Sequence, residues 1–323
     1  MKALMYVGER KMEVQEVPYP KGEFIVRVKG CAICGTDLKT YLHGHPYFKP
    51  PTILGHEFYG IVEKAPAETG YKPGDYVVVA PYGECGECDT CKAGHPELCN
   101  HKGYVETGAF CEYVSVPLSF VEKGVIKLKG DEFVYSIAEP LGCVLTAINQ
   151  LNVENTDSVL IIGGGPMGML AAMTLNDSGV KVRVAEVNPL RREKILSWGI
   201  PCATTEECYA MDKYDKIIVA VNIKELVEEA VSKVKDCGKV HVFAGLPSGT
   251  ILNIDARDLH YRFVQIMGCS GFALPAFHEA FERISKNPAN YERLITHRFP
   301  LEKGNEAMDA LRRGDAFKIM IEP

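Results

Sequence analysis

Hydrophobic positions change their spacing near residue 140, and the change divides the chain in two. Before it, apolar residues come in short, partly alternating runs. Examples are Phe24-Ile25-Val26-Arg27-Val28-Lys29, Tyr76-Val77-Val78-Val79 and Phe110-Cys111-Glu112-Tyr113-Val114-Ser115-Val116. Alternation with a period of two marks strands with one buried face. The turn tripeptide Pro73-Gly74-Asp75 precedes the second run. Many short strands between Gly and Pro turns predict a small β-barrel-type domain. Residues 136–151 read as an apolar helix. Beyond it the runs are continuously apolar: Val159-Leu160-Ile161-Ile162, then residues 182–185, 217–221, 240–244 and 263–267. Strands covered on both faces look like this. Helical stretches lie between them, over 190–198 and 224–234, the latter expected to stop at Cys237-Gly238. The second half is therefore predicted as an α/β domain with a doubly wound parallel sheet. A helix over 275–285 and an apolar, strand-like tail follow.

Composition adds limits. A chain of 323 residues exceeds one ordinary core, so two domains are expected. Lys and Arg number 36 against 42 Asp and Glu, a net charge of -6 with no basic run. That leaves no electrostatic footprint for nucleic acid. Charges at Lys2, Glu9, Arg10 and Lys11 argue against a signal-peptide core. The longest uncharged run, 158–176, is interrupted by four Gly and a Pro, so it reads as strand, turn and helix, not as a membrane span. Twelve Cys without a signal point to a reducing, cytoplasmic compartment and to metal binding over disulfides.

Three motifs carry chemistry. Cys85, Cys88, Cys91 and Cys99 place four thiolates within 15 residues. Such a set closes a tetrahedral shell, as in a structural zinc with no open position. An iron–sulfur set would use the same thiolates. Second, Gly163-Gly164-Gly165-Pro166-Met167-Gly168 follows an apolar strand and opens a helix. Glycines let the backbone approach a pyrophosphate, and the helix N-terminus offers N–H groups to it. Eighteen residues on, Glu186 ends the next strand, where a carboxylate accepts from ribose hydroxyls and repels a 2′-phosphate. NAD is thus favoured over NADP, with nearby Arg191 as a complication. Third, Cys34, His56 and Glu57 bring a thiolate, an imidazole and a carboxylate into 24 residues. Those are ligand types of a catalytic zinc. Cys31 reads as packing, and His43 and His45 as loop residues. Glu139, at the expected seam, either caps a helix or reaches the same metal.

Taken in order, these motifs resemble the zinc-containing medium-chain dehydrogenases. The matching phrases are Gly30-x3-Cys34-Gly35-Thr36-Asp37, Gly55-His56-Glu57-x2-Gly60, the four-cysteine lobe, Glu139-Pro140-Leu141, the glycine turn with Glu186, and Leu294-Ile295-Thr296-His297-Arg298-Phe299-Pro300-Leu301. They span essentially the whole chain. The resemblance implies a GroES-like catalytic domain over 1–140 and 271–323, with a structural zinc lobe at 85–99, interrupted by a Rossmann NAD-binding domain over 141–270. Glu-Pro-Leu at the seam is similar to the sorbitol (polyol) and threonine dehydrogenase branches. Two departures stand out: Lys39 where many relatives carry a proton-relay His, and Pro66 where a small residue is usual.

The resemblance further implies two zincs per chain. The catalytic one would be held by Cys34, His56 and Glu57, Glu139, or both carboxylates in alternation. Thr36 would pass the substrate proton outward. NAD would dock on Gly163, Gly165, Pro166, Met167 and Gly168, with Glu186, Arg191, Ala244 and Gly245 completing its site. The expected substrate is a small secondary alcohol, a polyol or sugar derivative, oxidised to a ketone. L-Threonine and a polyol phosphate are the alternatives. A homo-oligomer, dimer or tetramer, is implied, without nucleic-acid or membrane partners. The non-enzyme alternative is a nucleotide-binding relative that has lost its metal, and the intact Cys34, His56 and Glu57 speak against it.

Overall fold

A computed structural model describes residues 1–314 and 316–323. They form two units: Met1–Gly142 with Phe272–Pro323, and Cys143–Gly271.

The first unit is built around the strand Phe24–Ala32, buried along most of its length. It pairs antiparallel with Glu57–Lys64, with Tyr113–Val116 and with the C-terminal strand Lys318–Glu322. Tyr76–Val79 and Val125–Lys127 extend the sheet on one side, and Ile295–Pro300 on the other. The last two strands of the chain run parallel, joined through the helix Gly304–Arg313. A short ladder, Tyr82–Gly83 with Gly103–Tyr104, ties the base of the cysteine-rich segment.

The expected strand at 110–116 is regular only from Tyr113. The preceding residues bond in two directions: Glu112 donates to Lys2 O, and its own carbonyl accepts from Val28 N. A segment shared between two ladders cannot keep one strand geometry. The helix expected over 136–151 begins at Ala138, after a 3-10 turn over Phe133–Ile137.

The second unit is a six-stranded, wholly parallel sheet. Its order is Cys202–Ala203, Lys181–Ala185, Ser158–Ile162, Lys216–Val219, Lys239–Val242 and Gln265–Gly268. Counted along the chain this is 3-2-1-4-5-6, the Rossmann order, with a switch point beside the Ser158–Ile162 strand. Pattern reading overlooked Cys202–Ala203, a two-residue edge strand too short to carry a period, and the helices Thr205–Met211 and Ala256–Tyr261. The helix Lys224–Lys233 stops earlier than Cys237-Gly238. Val234 turns extended and packs fully buried into the core. Cys237 then takes a left-handed φ of 62° and donates its N–H to Arg262 O, a turn that feeds the next strand. No helix among the described residues is long and apolar enough to cross a membrane.

His241 lies fully buried on the Lys239–Val242 strand. Its Nε2 meets Gln150 Oε1 at 3.2 Å, and its Nδ1 has no partner. Burial lowers its pKa to about 4. The unfolded chain, with an ordinary histidine near 6.5, therefore binds the proton first. Stability is full above about pH 6.5 and falls as pH drops towards 4, by up to about 3 kcal/mol. Urea unfolding of the full chain across this range should show the loss, and His241→Gln should flatten it.

Candidate metal centres and nucleotide site

The first centre is assembled by three adjacent strands. Ala32, on the central strand, pairs with Glu57 on one side and with Met320 on the other. Directly paired residues share a face, and so do residues two apart. Glu57 and Lys318 therefore point to the same side, with only the small Ala32 between them. Lys318 Nζ lies 2.5 Å from each Glu57 oxygen, and both residues are essentially inaccessible to water.

Two residues past Ala32 the chain leaves the strand at Cys34, which caps the helix Gly35–His43. Asp37, buried in the first turn, accepts from Cys34 N at 2.9 Å and from Gly55 N at 3.2 Å. One carboxylate thus fixes the backbone carrying the thiol to the backbone carrying the imidazole. His56 Nδ1 lies 3.8 Å from the same carboxylate. As a result one ligand atom from each of Cys34, His56 and Glu57 falls within 4.8 Å of the others. Thr36 sits in the same helix turn, its N–H directed at Cys34 Sγ at 3.5 Å. Glu139, in the first turn of Ala138–Leu151, is buried and close enough to couple electrostatically to His56 and Glu57, though it lies outside the compact three-donor group. Cys31 is buried on the central strand, and neither His43 nor His45 joins the donor group.

The charges here fit a cation. Burial lowers the His56 pKa, but Cys34, Asp37 and Glu139 outweigh it and hold it well above 6.5. Burial pushes Glu139 up to about 7, against the pull of His56. Burial also works against the charge on Lys318, and Glu57 and Cys34 overcome it, keeping Lys318 above the usual lysine range. Surroundings that retain a proton on an imidazole favour a divalent cation in its place. Asp37 and Lys318 were not singled out as site residues from sequence. The available signal for Lys318 was a lone charge in the apolar run Phe317-Lys318-Ile319-Met320-Ile321.

The second centre is the lobe. Cys85, Cys88, Cys91 and Cys99 converge, with sulfur separations of 3.5 Å (Cys88–Cys91), 3.8 Å (Cys88–Cys99) and 3.5 Å (Cys85–Cys99). A zinc–sulfur bond of about 2.3 Å makes tetrahedron edges of about 3.8 Å. Backbone N–H groups of Glu87 and Cys88 point at Cys85 Sγ, and those of Cys85 and His101 at Cys99 Sγ. The Thr90 hydroxyl, followed by backbone N–H groups, lowers the Cys88 pKa to about 5. These are thiolate-stabilising contacts, suited to a tetrathiolate metal.

In the second unit, Gly163 takes a φ of 105°, and a side chain there would strike Val221 at 2.6 Å. A Cβ on Gly168 would meet Gly163 O at 1.9 Å, so the helix Pro166–Asp177 packs directly on the turn. Gly165 is the N-cap, Pro166 and Met167 open the helix, and no side chain caps it. Its first N–H groups are left for an anion. Glu186, 5% exposed, accepts from Gly164 N at 3.1 Å and Asn188 N at 2.8 Å. Arg191 Nη1 donates to it at 3.1 Å. Ala244 and Gly245 follow the Lys239–Val242 strand at the carboxyl end of the same sheet, with Ala244 N donating to Val219 O.

Comparison with known proteins agrees with both halves. The alcohol dehydrogenase GroES-like domain model matches residues 20–128. An FAD binding domain model matches residues 156–233, the glycine-turn unit that folds for different dinucleotides share. A sorbitol dehydrogenase of Halalkalibacterium halodurans is 28% identical, with 100% of this chain and 99% of the relative covered. An L-threonine 3-dehydrogenase of Bacillus subtilis shows the same identity and coverage. The crystal structure of 2R,3R-butanediol dehydrogenase from Bacillus subtilis superposes with a TM-score of 0.87 at 23% identity, covering 100% of this chain and 99% of that one. Over its whole length the chain is similar to zinc-containing medium-chain dehydrogenases. Its fold is the GroES-like and Rossmann pair of that family.

Cys99→Ser should release whatever metal the lobe binds and lower Tm by about 5 °C or more. Metal analysis of the wild type and the variant, with thermal melts, checks this.

Proposed function

We propose that this protein is a zinc-dependent dehydrogenase that moves a hydride from a secondary alcohol, a polyol or sugar derivative, to NAD and leaves a ketone. The observation that carries this reading is the mixed donor group Cys34, His56 and Glu57, held in the same chain as a Rossmann glycine turn whose Gly164 N–H donates to Glu186. Three donors leave a fourth position open, unlike the all-thiolate lobe.

A zinc bound there supplies Lewis acidity that lowers the pKa of a substrate hydroxyl. The chain's own residues position and discharge. Asp37 ties the backbone N–H of Cys34 to that of Gly55, next to His56, so the donors need little reorganisation on binding. Thr36 stands in the same helix turn as Cys34 and is proposed to hand the substrate proton outward. NAD, when bound, supplies the hydride acceptor. Arg191 is already paired with Glu186, so a 2′-phosphate would have to break that pair and face the carboxylate. This supports NAD over NADP.

Two zincs per chain are proposed, one at each centre. A reducing, cytoplasmic setting is proposed from the twelve cysteines, four of which are gathered as metal donors. A homo-oligomer is supported by the open edge of Gln265–Gly268, preceded by exposed Tyr261 and Phe263. L-Threonine stands as the second substrate reading because a threonine dehydrogenase matches this chain as fully as a sorbitol dehydrogenase does.

An NAD-linked screen over sugar alcohols, their phosphates, sugar acids and L-threonine should give turnover on at least one polyol; activity on threonine alone would replace the polyol reading. Cys34→Ser should cut kcat on the order of 10³-fold while NADH binding is kept. Glu186→Ala should weaken NADH about tenfold or more by fluorescence titration, with a much smaller change for NADPH. Equal losses would remove the ribose contact.

A further inference from the structure

The N-terminal hairpin, Lys2–Gly8 with Lys11–Glu16, and the segment that follows the helix Gly35–His43 enclose a cavity of about 440 Å³. That volume is in the range of small-molecule sites. Tyr6 and Glu9 line it from the hairpin, and His43, His45, Phe48 and Lys49 from the other wall. The backbone ties the walls together, with Arg10 N donating to Tyr41 O. None of these side chains belongs to either metal centre or to the glycine turn. Cys34 caps one end of the helix and His43 closes the other, about 13 Å away along the axis.

Tyr6 is 1% exposed, yet its hydroxyl has no hydrogen-bond partner among the described residues. The unpartnered side-chain atoms of Thr174, Tyr209 and His241 are sealed from solvent, and the Tyr6 oxygen is not one of these. A hydroxyl left free at the edge of a cavity is costly unless something in the cavity bonds it. Burial, and then the charge of Glu9, hold the Tyr6 pKa above the ordinary tyrosine range, so it remains an O–H that can donate and accept. His45 Nδ1 accepts from Tyr47 N at 3.2 Å, so the neutral ring carries its proton on Nε2. The same ring lies 4.8 Å from that of Phe48, which is 37% exposed.

We propose that this cavity binds a neutral sugar in its ring form, with hydroxyls on Tyr6, Glu9 and His45 and an apolar face against Phe48. Sugar hydroxyls both donate and accept, as this mixed set requires, and the C–H face of the ring suits an aromatic side chain. The Glu9 carboxylate disfavours an anion, and Lys49 disfavours a cation. The proposal goes beyond the dehydrogenase reading and does not rest on it.

Methyl β-D-glucopyranoside, a locked ring without a free carbonyl, is the probe, titrated by saturation-transfer NMR into the full chain without nucleotide. The wild type should bind it, and Cys34→Ser should bind it equally. Tyr6→Phe, which removes one oxygen only, should weaken binding about fivefold. Phe48→Ala should weaken it about threefold or more. Inorganic phosphate and tetramethylammonium should not displace it. No binding to the wild type overturns the proposal, as does binding unchanged in both Tyr6→Phe and Phe48→Ala. Binding lost in Cys34→Ser places the sugar at the metal centre and overturns it too. Displacement by phosphate or by tetramethylammonium overturns the neutral-sugar assignment. Turnover in the substrate screen judges the dehydrogenase reading separately, and neither result decides the other.

Discussion

Crowded negative charge is the constraint on which the first unit depends. Asp37, Glu57 and Glu139 are buried beside the half-buried Cys34, and one buried lysine faces them. Unpaired buried anions are costly, so the cluster must hold cations in every state. Without metal, the fold uses Lys318 and protons: His56 is held protonated well above its ordinary range, and burial leaves the Glu139 carboxyl titrating near 7. With metal, those protons must leave, because ligands bind in their deprotonated forms. The same electrostatic shortage therefore shapes both the resting state and the metal-loaded one.

Strand register converts that shortage into a defined geometry. Cys34 is placed by the end of the central strand, Glu57 by its neighbour on one side and Lys318 by its neighbour on the other. The imidazole comes from the residue just before the Glu57 strand, and Asp37 ties that point to the Cys34 cap. No donor in the compact group depends on a long free loop. Small errors in donor placement are costly in catalysis, and sites on regular elements avoid them.

Much of this was legible in the sequence where the signal was local. The parallel strands announced themselves as continuous apolar runs because both faces are covered. The glycine turn was readable because Gly163 and Gly168 meet steric limits no other residue satisfies. The four-cysteine lobe was readable because its ligands lie within one segment. Non-local pairings were not legible. Lys318 meets Glu57 only after the chain returns to the central strand, and no periodicity encodes that return. The helix expected over 224–234 is observed over Lys224–Lys233, and the buried Val234 leaves it three residues before the Cys237-Gly238 stop signal begins. Cys202–Ala203 was missed because two residues cannot display a period.

The two metal centres also show how donor chemistry separates support from reaction. The lobe offers four sulfurs, two of them, Cys85 and Cys99, steadied by backbone N–H groups, and a set of like donors leaves no open position. The Cys34 centre offers unlike donors with unlike outside commitments. Cys34 is tied to a helix cap, His56 to the neighbourhood of Asp37, and Glu57 to an ammonium. A shell whose members are bound with different strength to the protein has a weakest member. On the zinc reading proposed above, that member is the carboxylate already shared with another cation, so the three donors differ in how firmly the protein holds them.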